Sequence, residues 1–128
     1  MSVLVPVDGS SASHNAVRHL IALSASGMAM RVHVLNVQHE TIPEAALAAD
    51  NATRAARALL ASAGVHFESH VRLGATAEAI VRLAREKRCH KIVIGTRRLG
   101  TLAGVFPGSV ARQVLRLAAV PVTLVRES

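Results

Sequence analysis

Five short apolar runs alternate with four stretches of helical periodicity, and this alternation constrains the fold more than any other feature of the chain. The runs cover 3–7 ("VLVPV"), 32–37 ("VHVLNV"), 65–73 ("VHFESHVRL"), 91–94 ("KIVI") and 121–125 ("PVTLV"). β-Branched runs of this length read as strands, and continuous apolar ones suit strands buried on both faces. Between them, apolar residues recur at helical spacing. The first helix carries Ala16, Val17, Leu20, Leu23 and Ser24, and Gly27 marks its end. The second starts at Pro43, carries a stripe of Ala48, Ala52, Ala55, Ala56, Leu59, Leu60 and Ala63, and ends at Gly64. The third shows Ala77, Ile80, Val81 and Ala84, and the fourth, preceded by Ser109, shows Val110, Val114, Leu115 and Ala118. Strands alternating with helices imply an α/β fold, a parallel sheet with helices on both faces.

A length of 128 residues predicts one domain over 1–128, with no linker, internal repeat or low-complexity tract beyond the Ala-rich helix. The chain lacks Trp and Tyr and has only Phe67 and Phe106 as aromatics, so its core must come from aliphatic layers. Cys89 stands alone and can form no internal disulfide. No targeting segment is visible, and no apolar run reaches the roughly 18 residues of a membrane span. A cytoplasmic protein without membrane partners is expected.

The formal net charge is +7. Arg82, Arg85, Lys87, Arg88, Lys91, Arg97 and Arg98 face only Glu86 across residues 82–98. Basic residues are what a helix shows to water, so this segment reads first as a solvated face and second as a surface for anions. A single-strand nucleic-acid binder would also need aromatic stacking platforms, which two phenylalanines do not supply. Nucleic acid is therefore not an expected partner.

In a doubly wound sheet, ligands bind beyond the carboxyl ends of the strands, where strand order reverses. That rule selects the loops after Val7 (Asp8-Gly9-Ser10), after Val37 (Gln38-His39) and after Ile94 ("GTRRLGTLAGVFPGS"). Asp8 is the acid directly after a strand and has two open roles, a polar contact to a ribose or phosphate-bridging metal, or an N-cap of the first helix. Gly95 is expected to let the backbone turn sharply after its strand. Gly108-Ser109 opens a helix, where free N–H groups and the dipole favour an anion; the Ser109 hydroxyl would either donate to it or cap the helix. Neither GxxxxGK[ST] nor a post-strand GxGxxG is present. The seven histidines form no HExxH or Cys/His metal spacing; His66 and His70 share a strand face, but two ligands do not make a site. Ser10, Ser11 and Ser13 have no identifiable base, so no catalytic residue and no enzyme activity is expected, slow ATP hydrolysis being the weaker alternative.

Three segments in order, "VLVPVDGS", "GATAEAIVRLAREKRCHKIVIGTR" and "GSVARQVLRLAAVPVTLVR", resemble the universal stress protein family over essentially the whole chain. The resemblance implies a flavodoxin-like (Rossmann-like) sandwich with strand order 3-2-1-4-5. It implies a homodimer through the final strand, with Val120, Val122 and Leu124 at the interface. The nucleotide-binding branch carries G-x2-G-x9-G-S/T after the fourth strand; here Gly95 and Gly108-Ser109 keep the separation, while Arg98 stands at the second glycine. The ligand implied is ATP or another adenine nucleotide, with or without Mg²⁺. Asp8 would face the ribose, Val37 would meet the adenine through its backbone, and Gly108-Ser109 would hold phosphates. Pro6, Val7, Ser10, Arg97 and Val110 would line the rest. Arg98 either fills the phosphate space or grips phosphate through its guanidinium, and Pro107 removes an N–H just before the Gly-Ser pair. The expected function is a stress-response regulator reporting nucleotide occupancy to a protein partner; the alternative is a nucleotide-free dimer acting as an interaction module.

Overall fold

The computed structural model describes residues 1–39, 43–97 and 108–126. Five strands and four helices alternate: β1 Ser2–Pro6, α1 Ser11–Ala25, β2 Arg31–Gln38, α2 Glu44–Ser62, β3 His66–Leu73, α3 Thr76–Glu86, β4 Lys91–Thr96, α4 Ser109–Leu117 and β5 Val122–Arg126. All pairings are parallel, in the order β3-β2-β1-β4-β5. The flavodoxin-like architecture expected from the sequence is the one observed.

Strand composition sorts the sheet. The three central strands carry continuous buried runs, such as Val3, Leu4 and Val5 in β1 and Ile92, Val93 and Ile94 in β4. They are covered on both faces. The edge strands are half-exposed, β3 alternating and β5 half-buried over Val122–Val125. Alternation along each strand divides the core by side-chain type. Val3, Val5, Val7, Val32, Val34 and Val93 pack with Ala16, Val17, Leu20, Ala56 and Leu60 of α1 and α2. Leu4, Leu35, Ile92 and Ile94 pack with Ala77, Ile80, Leu83, Ala111 and Val114 of α3 and α4.

Two helix faces differ from the sequence expectation. In α2 the buried residues are Ala45, Ala49, Thr53, Ala56 and Leu60, whereas Ala48, Ala55 and Ala63 face solvent. Alanine is nearly indifferent to burial, so a run of alanines carries no phase. The face is set by Leu60 and its i−4 and i−7 neighbours, and buried Thr53 satisfies its hydroxyl on the Ala49 carbonyl at 2.9 Å. In α4, Ala111 and Val114 are buried while Leu115 is 46% exposed. On a nine-residue helix at the sheet margin there is too little neighbouring surface to bury a wide stripe.

β5 begins one residue after Pro121, whose carbonyl accepts from Ile92 N at 3.0 Å. Proline needs no donor at that position, which suits the start of an edge strand. Among the described residues no helix is long and apolar enough to cross a membrane.

Candidate functional site

Strand order reverses at β1, with β2 on one side and β4 on the other. Beyond the carboxyl ends of these strands lies a cleft of about 680 Å³. Its walls come from the β1–α1 loop, the end of β2, the end of β4 and the first turns of α3 and α4.

The β1–α1 loop is internally braced. Gly9 takes φ +88, a conformation that side-chain-bearing residues adopt poorly, and so reverses the chain within one residue. Asp8 Oδ1 accepts from the Ser10 backbone N–H at 2.9 Å, and Ser10 Oγ caps α1 by accepting from Ser13 N at 3.2 Å. The N-cap is thus Ser10, and the N-cap alternative for Asp8 is corrected: one carboxylate oxygen holds the loop and the residue stays exposed at the cleft. Partial burial pushes the Asp8 carboxyl up, but hydrogen bonds from Ser10 and Ser13 outweigh it and leave it below the ordinary 3.8. Asp8 is the only acid among the described residues lining the cleft.

Gly95 does not make a turn. It lies inside β4 and has no positive φ. Its role is close approach: a Cβ built there would sit 1.9 Å from the Ala12 carbonyl oxygen and 2.4 Å from the Ala12 carbonyl carbon. The first turn of α1 rests directly on the β4 backbone, so strand and helix meet at the cleft floor.

Gly108 is the N-cap of α4 and supplies no side-chain cap, so Ser109 is the first helical residue and not the cap. The first intrahelical bond shown is Arg112 N to Gly108 O at 3.0 Å. The first turn of α4 carries no acidic residue and faces the cleft through Ser109, Val110 and Ala111. Such a helix start presents N–H groups and a positive dipole end to the cavity.

Pro6, Val7, Asp8, Ser10, Val37, Gly95, Arg97, Gly108, Ser109 and Val110, each named from the sequence, all border this cleft. Arg98 and Pro107 lie outside the described residues. Several lining residues were not anticipated. Asn36 is buried and donates from Nδ2 to the Val7 carbonyl at 2.8 Å, tying the ends of β1 and β2 together, while Gln38 Nε2 donates to its Oδ1 at 2.5 Å. Asn36, set among Val34, Leu35 and Val37 of β2, was the available signal. Thr76 and Ile80 enter from α3 and His39 from the loop after β2. The α3 contribution depends on helix placement, which periodicity alone does not give.

A sequence profile of the universal stress protein family matches residues 1–126. The chain belongs to the universal stress protein family. A Thermus aquaticus universal stress protein encoded 3′ of the QAH/OAS sulfhydrylase is 41% identical over 68 residues, 52% of this chain; the match spans about half the length of that relative. Among solved structures, the universal stress protein of Archaeoglobus fulgidus in complex with dAMP matches with TM-score 0.76 and 25% identity, over 97% of this chain and 96% of that one. A universal stress protein in complex with cAMP matches with TM-score 0.72 and 26% identity, over 100% and 98% of the two chains.

Proposed function

We propose that this universal stress protein binds an adenine nucleotide in the cleft and acts as a homodimeric regulator rather than an enzyme. The observation that carries the proposal is the joining of two features at one switch point: an exposed carboxylate, Asp8, and the α4 N-terminus capped only by Gly108. A carboxylate suits ribose hydroxyls, and uncapped N–H groups suit phosphate. Relatives of similar fold take dAMP and cAMP, which supports the adenine class. The cleft volume, about 680 Å³, is in the range of small-ligand sites. On this proposal Asp8 holds the ribose, Val37 the adenine, and Gly108, Ser109 and Arg97 the phosphates. With Asp8 the one acid among the described lining residues, Mg²⁺ would be held chiefly by the phosphates themselves.

The chain lacks Trp and Tyr, so co-purified nucleotide would dominate its absorbance near 260 nm. We expect such a peak, or a stabilisation of about 2.7 kcal/mol when AMP or ATP is added at a hundred times its Kd. A flat 260 nm region with no thermal shift would overturn the proposal and favour the nucleotide-free interaction module. Arg98→Gly adds direction: stronger binding identifies Arg98 as an obstruction, weaker binding as a phosphate partner.

The dimer is proposed through β5, which pairs with β4 along one edge and keeps Val122 and Leu124 half-buried. Unprotected apolar edges favour pairing with a second copy. Val122→Asp is expected to convert a dimer to a monomer by sedimentation velocity; an unchanged sedimentation coefficient places the interface elsewhere.

A further inference from the structure

His70 has a different partner from the one its sequence neighbourhood suggests. Sheet register places His33 of β2 opposite Glu68 of β3, and Leu35 opposite His70. Side chains alternate along a strand, so His33, Glu68 and His70 share a face with Leu35, which packs beneath α3. His33 Nδ1 lies 3.0 Å from His70 Nε2 and 3.4 Å from Glu68 Oε2. One donor atom from each of the three falls within 4.8 Å of the others.

We propose that His33, Glu68 and His70 form a binding site for a divalent transition-metal cation of the zinc class, independent of the nucleotide cleft. Two imidazoles and one carboxylate, with a further position left to water, are a donor set zinc accepts readily. Two nitrogens bound tetrahedrally to zinc at 2.0–2.1 Å are separated by about 3.3 Å. The two measured separations, 3.0 and 3.4 Å, bracket that spacing.

Burial holds both imidazoles below the usual 6.5; for His33 the charges of Lys87 and Arg31 add to this and Glu68 opposes it, and for His70 the additions come from His33, Lys87 and Arg72, again against Glu68. The basic neighbours weaken cation affinity, but Arg72 is engaged by Glu86 at 3.5 Å, and Glu68 brings a negative charge into the site.

Access and rigidity are divided among the ligands. His33 is 3% exposed and anchored in a central strand, whereas Glu68 and His70 stand on the edge strand, Glu68 exposed and His70 half-buried. An ion enters from the solvent side onto a fixed inner ligand. Leu35, two residues along β2 from His33 and opposite His70, lines the cleft, but none of His33, Glu68 and His70 does, so the two sites adjoin without sharing a residue.

The test uses untagged, metal-stripped full chain titrated with Co²⁺, followed by displacement with Zn²⁺. One equivalent per chain with the visible absorption of tetrahedral cobalt is expected, bleached by Zn²⁺. His70→Ala should abolish the band, Glu68→Gln should weaken binding at least tenfold, and His19→Ala on α1 should leave it unchanged. Both site variants alter accessible side chains, and a circular-dichroism melt checks that they fold. Zn²⁺ should raise the melting temperature of the parent chain but not of His70→Ala. Absence of a tetrahedral band, or a band and thermal shift that survive both site substitutions, would overturn the proposal.

Discussion

Gly95→Ala is expected to destabilise the protein by about 3 kcal/mol or more, the upper range for forcing atoms into a packed interior. The added methyl would stand 1.9 Å from the Ala12 carbonyl oxygen, far inside contact distance, and the obstacle is backbone at both sides. No rotamer change relieves it; α1 must lift from β4, taking Ala16, Val17 and Leu20 out of register with the valine face of the sheet. Gly108→Ala is the control. A Cβ at Gly108 meets nothing within 4 Å and its φ is −59, so its cost should stay within about 1 kcal/mol. Urea denaturation followed by far-UV circular dichroism decides between them, since the chain has no Trp to report unfolding. Equal midpoints for Gly95→Ala and the parent would refute the close-approach role.

Asp8→Ala should weaken adenine-nucleotide binding by roughly ten- to a hundredfold, about 1.5–3 kcal/mol for losing charge-assisted hydrogen bonds to a ribose. Its cost to folding should be smaller, about 1 kcal/mol, because the Asp8 hydrogen bonds from Ser10 and Ser13 are made by a residue that stays exposed. Calorimetric titration with AMP alongside a melting curve separates the two effects. The pH dependence has a definite sign. A carboxyl held below its ordinary 3.8 contributes stability that is fully present above 3.8 and is lost as pH falls through its folded-state value. The stability gap between parent and Asp8→Ala should therefore be constant through the neutral range and close only in acid below 3.8. A gap that closes near neutrality would point to a histidine instead, and unchanged AMP affinity would remove Asp8 from the nucleotide site.

The fold was legible because each element announced itself locally. "VLVPV" and "KIVI" are too short and too β-branched for helices, and both lie in the buried centre of the sheet. Legibility failed where local chemistry was silent. The alanines of α2 have no preference strong enough to phase a helix, so Ala48 and Ala55 were assigned to a face that belongs to Ala45 and Ala49. The cleft residues of β1, β4 and α4 were reachable because strand ends and helix starts carry Asp, Gly and Ser for reasons of backbone chemistry. Thr76 and Ile80 carry no such mark; they reach the cleft because α3 packs across β1 and β2.

From residue order alone follow the parallel α/β class, the aliphatic core and the loops that meet at the switch point. These depend on periodicity and turn chemistry, which act over a few residues. Tertiary packing assigned Gly95 to a helix–strand contact instead of a turn, and made Ser10 rather than Asp8 the cap of α1. It also joined His33 to His70 across 37 positions. Each of those outcomes depends on register and distance between elements far apart in the chain, and no local preference encodes a distance.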